Sequence, residues 1–153
     1  MINLKIVLLG IFLLAQGCGY QSVHKIEREN FSIIKFEITG DQKISRYLEN
    51  NFKKFEKNSD SKYIYELTIN SEIVKKIQSK NSAGVTQNLT LDVIIKIKIK
   101  ENGKTLAEKT FQESVGYANL DNKFELSQYE KIIVKDQTNK IINKINFFIP
   151  TLK

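Results

Sequence analysis

The chain predicts an α+β fold, two helices packed on one face of a four-stranded sheet in the order β-α-β-β-β-α, and three observations predict it. Six apolar residues, Leu89, Leu91, Val93, Ile95, Ile97 and Ile99, recur at every second position, the spacing of a half-buried antiparallel strand. Two other stretches place their apolar residues at steps of three and four, the spacing of helices with one buried side. Between apolar runs stands Asn102-Gly103, the dipeptide that best tolerates the positive φ angles of a tight hairpin turn.

Taken in order, Phe31 to Ile38 is rich in β-branched and aromatic residues and reads as the first strand, ended by Gly40. Asp41 is placed to cap the helix that follows. In that helix Ile44, Tyr47, Leu48, Phe52 and Phe55 share a face with Asn51, while Lys53, Lys54, Glu56 and Lys57 point away. After the polar break at 58–61 the period changes to two. Tyr63, Tyr65, Leu67, Ile69, Ile73 and Ile77 line one side of a second strand, opposite Glu66, Thr68, Asn70 and Glu72. The polar stretch Ser79–Gly84 connects it to the third strand. The fourth returns over Thr105 to Tyr117, with Ala107, Phe111, Val115 and Tyr117 inward. Residues 121–149 read as a long last helix carrying Leu126, Tyr129, Ile133, Val134, Thr138, Ile141, Ile145 and Phe148 at helical spacing. Asp136, Gln137 and Asn139 interrupt its apolar side, so its middle is expected to face solvent or a partner. Pro150, the single proline, marks the stop.

Ahead of this domain lies a leader. Lys5 precedes an apolar run from Ile6 to Leu14 broken only by Gly10, and Ala15-Gln16-Gly17 then leads into Cys18. A basic start, a short apolar stretch and small residues at the cut are the parts of a secretory signal peptide. The run is too short for a bilayer core of about 30 Å. Cys18 is the single cysteine, and the segment resembles a bacterial lipoprotein signal, in which the thiol after the cut is acylated. Ala15 stands where such signals usually carry Leu, and Gln16 is bulkier than usual. An ordinary leader with an incidental cysteine is the competing reading. The division is therefore 1–17 signal peptide, 18–30 lipidated tether and 31–153 one α+β domain. Gly19 after the cysteine resembles the outer-membrane rather than the inner-membrane sorting signal.

With 24 Lys and Arg against 17 Asp and Glu, the net charge is +7, and cleavage would remove only Lys5. Such a surface calls for an anionic partner, either a phosphate-bearing lipid or an acidic protein surface. Export leaves nucleic acid out. Lysines also keep exposed strands from pairing with other chains, and that reading stands beside the functional one.

No catalytic constellation is legible, and an enzyme is not expected. The single histidine, His24, lies in the tether, and a serine or cysteine nucleophile needs a positioned base. No His/Cys cluster offers a metal site and no glycine-rich loop offers a phosphate cradle, so no cofactor is expected. Glu66 and Glu72 share a strand face, as solvated faces commonly show. The remaining feature is basic: Lys96, Lys98 and Lys100 on the third strand, with Lys75, Lys76 and Lys80 near the end of the second.

The series Cys18-Gly19-Tyr20, strand, helix from Ile44-Ser45-Arg46, strand, polar loop Ser79–Gly84, strand from Gln87, hairpin and terminal helix resembles the LPS-assembly lipoprotein LptE family. The resemblance covers nearly the whole chain in order and length, and rests on pattern. It implies an outer-membrane lipoprotein, lipid-anchored at Cys18 (a palmitate-bearing site) and facing the periplasm. It further implies a plug and assembly partner for an LptD-like β-barrel that delivers lipopolysaccharide to the cell surface. By the same resemblance, lipopolysaccharide-binding cations fall on Lys80 and Lys123. The alternative is a binding subunit of another cell-envelope complex.

Overall fold

The computed structural model describes residues 31–56 and 61–152. The leader, Cys18 and the tether lie outside the described residues. The observed elements are β1 (Phe31–Gly40), α1 (Gln42–Phe52), β2 (Tyr63–Lys80), β3 (Thr86–Glu101), β4 (Lys104–Ala118) and α2 (Lys123–Phe148). Short 3-10 turns extend both helices, at Lys53–Phe55 and Ile149–Thr151. The expected order is the order found.

The sheet runs β1-β2-β3-β4. Strands β1 and β2 are parallel, and α1 is the crossover that parallel neighbours require. The other two pairs are antiparallel hairpins. At the first, Asn81 folds the turn with its own side chain, Oδ1 accepting from the amides of Ala83 at 3.0 Å and Val85 at 2.9 Å. At the second, Asn102 and Gly103 have φ of 52° and 75°, the positive pair that matches the twist of a two-residue hairpin.

The exit from β1 depends on Gly40. Its φ is 105°, and a Cβ there would lie 1.9 Å from the carbonyl oxygen of Ser71 on β2. That oxygen accepts from the amide of Asp41 at 3.1 Å. Asp41 then caps α1 as its sequence position suggests, accepting from Lys43 N at 2.9 Å and Ile44 N at 3.1 Å.

Both helices pack on one sheet face. Leu67 and Ile69 of β2, Leu91, Val93, Ile95 and Ile99 of β3, Ile44 and Leu48 of α1 and Ile141 and Ile145 of α2 are all sealed from solvent. Each such side chain contributes roughly 1.5–3 kcal/mol by burial. At the end where β1 begins, Phe31 stacks on Phe55 with centroids 4.9 Å apart and meets Tyr65 at 5.9 Å. Phe36 meets Phe52 there at 5.8 Å.

Three sequence expectations are corrected. The middle of α2 is exposed only on one side: Asp136 and Asn139 point out as expected, but Gln137 and Thr138 are buried within the domain. A helix side wide enough to meet both sheet and neighbouring helix takes in positions that a narrow apolar stripe leaves out. Ile77, expected inward, is 55% exposed. Because β1 ends at the Gly40–Ser71 pair, β2 runs on without a neighbour on that side. Finally, β2 includes Ser79 and Lys80, which extend its ladder to the Lys80–Thr86 pair.

Candidate functional site

Beyond the end of β1, the β2–β3 turn and the β4–α2 connection meet at one end of the sheet. Asn119 ties them: its amide donates to Gln87 O at 2.8 Å, and its Nδ2 donates to Thr86 O at 3.0 Å. Asn122 caps α2, accepting from Phe124 N at 3.0 Å and Glu125 N at 3.3 Å, and its Nδ2 returns a bond to Glu125 Oε1 at 3.0 Å. This reciprocal pair holds the helix start rigidly.

Lys80 and Lys123 stand on these two joined segments, both exposed and neither ion-paired among the described residues. Lys80 is the last residue of β2, opposite Thr86. Lys123 is the first of α2, and its Nζ donates to Leu120 O at 3.4 Å. A cation in the first turn opposes the helix dipole, so stability does not account for its position. Val85 and Phe124, on the same two segments, are exposed at 53% and 70%. The surface thus carries cations beside apolar side chains, chemistry suited to an anionic amphiphile.

The helix-free face of the sheet carries Lys96, Lys98 and Lys100 as expected, with two qualifications. Register sets Lys100 beside Glu66, and Lys98 pairs with Glu108 at 2.6 Å, so part of the charge is cancelled within the sheet. Such exposed pairs contribute little to stability. Glu66 and Glu72 are separated by six residues of extended chain, about 20 Å, too far to act as a dyad.

Lys75 and Lys76 do not share a surface, because neighbouring strand residues point to opposite faces. Lys76 reaches Asp92 at 2.8 Å on the helix-free face. Ser114 Oγ donates to the other Asp92 oxygen at 2.5 Å. The hydrogen bonds from Lys76 and then Ser114 hold the Asp92 carboxyl below the usual carboxylate range, against the upward push of burial. Lys75 points under α2 and forms an ion pair with Glu130. The other Glu130 oxygen accepts from Tyr117 OH at 2.7 Å. Burial pushes Glu130 up, but the bonds from Lys75 and Tyr117 outweigh it and hold the group low. Burial, followed by the Glu130 acceptor, pushes the Tyr117 phenol far above its ordinary value.

Sequence reading missed both carboxylate networks. Alternation marks Asp92 as outward and the helical period leaves Glu130 at a flank, but neither identifies a partner across strands. No group of three His, Cys, Asp or Glu that could hold a metal occurs among the described residues. Nor, among them, is any helix long and apolar enough to cross a membrane.

No family model and no curated protein matches the sequence. Solved structures do match the fold. The rare lipoprotein B of Shewanella oneidensis superposes with a TM-score of 0.60 at 11% identity, covering 76% of this chain and 94% of that one. An uncharacterised lipoprotein B of Nitrosomonas europaea gives 0.53 at 18% identity, with 74% and 82% covered. A lipoprotein of Caulobacter crescentus gives 0.51 at 10% identity, with 84% and 93% covered. At these identities the likeness is one of fold.

Proposed function

We propose that this chain is an outer-membrane lipoprotein, anchored through acylated Cys18 and facing the periplasm. In this reading it is the plug and assembly partner of an LptD-like β-barrel in lipopolysaccharide transport. The observation that carries the reading is a coincidence of two independent features. The fold is one several of whose solved examples bear the name lipoprotein, and this sequence carries its single cysteine behind a segment with the parts of a signal peptide. The loop end with Lys80, Lys123, Val85 and Phe124 supports it, since lipopolysaccharide joins phosphates to acyl chains. The lysine-bearing sheet face suits the polar lumen of a membrane barrel. Catalysis has no part in the proposal: the role is binding and assembly.

Affinity purification of the tagged protein from detergent-extracted envelopes tests it. Recovery with a large β-barrel protein is the expected result. Recovery with a different envelope complex, or alone, overturns the plug role.

A further inference from the structure

The shortness of β1 leaves a second feature beside the loop end. Past Ser71, β2 has no strand on its outer side, and the start of α1 and the first half of α2 flank the gap. Between them lies a cavity of about 150 Å³. Lys43 from α1, Lys75 from β2, and Ser127, Glu130 and Lys131 from α2 converge on it, over an apolar floor that includes the fully buried Leu91.

The charges do not cancel. Glu130 is already engaged on both oxygens, by Lys75 and by Tyr117, so one ammonium is neutralised. Lys43 adds its positive field to Glu130 without bonding it. Lys131 has only a long contact, 3.5 Å, to the amide oxygen of Gln128. Two positive charges are left over at one small cavity, beside a hydroxyl that can donate. The amides in the first turn of α1 are occupied by Asp41, so the helix end is not the source of the site.

We propose that this cavity binds a phosphomonoester, with Lys43 and Lys131 supplying the charge and Ser127 a directed hydrogen bond. A phosphomonoester carries close to two negative charges at neutral pH, matching the surplus, and its three terminal oxygens match three donors, one from α1 and two from α2. A carboxylate would leave one cation uncompensated. The inference does not depend on a barrel partner, and it uses neither Lys80 nor Lys123.

The test titrates the protein with two probes: inorganic phosphate, followed by calorimetry, and phosphatidylcholine vesicles doped with phosphatidic acid, followed by co-sedimentation. The double variant Lys43→Gln/Lys131→Gln is compared with Lys96→Gln/Lys100→Gln, which removes the same charge from the helix-free face. Circular dichroism checks that each variant is folded. The expected result is at least a tenfold rise in Kd for the first variant, about 1.4 kcal/mol, and little change for the second. Loss of inorganic phosphate binding alone identifies a free phosphate as the ligand, and loss of vesicle binding identifies a lipid headgroup. Equal weakening by both variants, or no binding of either probe by the unmodified protein, overturns the site. Co-purification with a barrel plays no part in the readout, so the two proposals fail separately.

Discussion

Tyr117 on the last strand donates to Glu130 on the last helix at 2.7 Å, and the same carboxylate holds Lys75 from β2. The last strand, the last helix and the far earlier β2 thus meet at one mostly buried group, near the half of the sheet that β1 and α1 leave uncovered.

Tyr117→Phe removes one hydrogen bond to a charged acceptor and keeps the ring. It is expected to lower the unfolding free energy by about 1.5–3 kcal/mol, measured by urea denaturation. Glu130→Ala should cost more than this, because it removes both the Tyr117 and the Lys75 interactions and leaves the buried phenol without its acceptor.

Stability should fall at both ends of the pH range. Asp92 and Glu130 have folded pKa values held below their unfolded ones, near 4. Their contribution is complete above the unfolded value and is lost as pH falls through the folded value. Tyr117 and Tyr65 are raised, chiefly by burial, so their contribution is complete below about pH 10 and is lost as pH rises further. Thermal midpoints between these limits should be nearly flat, and Asp92→Asn should reduce the acid slope.

Gly40→Ala should be among the most damaging small substitutions. The added methyl would lie 1.9 Å from a backbone oxygen, at a φ that side chains avoid. A loss exceeding about 2 kcal/mol is expected from chemical denaturation. Gly84→Ala, also at positive φ but in open space, should cost only about 1 kcal/mol.

Thr138 is fully buried in α2, and its hydroxyl has no hydrogen-bond partner among the described residues. Thr138→Val keeps the shape and removes the unpaired polar group. A gain of roughly 1 kcal/mol is expected, read as a higher denaturation midpoint.

Lys80→Gln combined with Lys123→Gln should weaken lipopolysaccharide binding in a pull-down assay. Unfolding free energy should stay within about 0.5 kcal/mol, because both side chains are exposed and neither is ion-paired among the described residues. Unchanged binding would remove these two residues from the proposed site.

The sequence by itself determined the elements and their order. Apolar period sets strand or helix locally, as the run Leu89 to Ile99 and the face of Ile44, Leu48 and Phe52 show, and Asn102-Gly103 fixes a hairpin within its own four residues. Asp41 is legible as a cap for the same reason: its bonds reach only two and three residues ahead. Tertiary structure decided which side chains meet across the sheet. That Lys75 serves Glu130 while adjacent Lys76 serves Asp92 follows from pleat and register, which sequence spacing along one strand does not contain. The bridge of Asn119 to Thr86 and Gln87, joining the segments of Lys80 and Lys123, is likewise a contact between distant parts of the chain. The burial of Gln137 and Thr138 depends on how wide a side of α2 the sheet and α1 cover, and only packing sets that width.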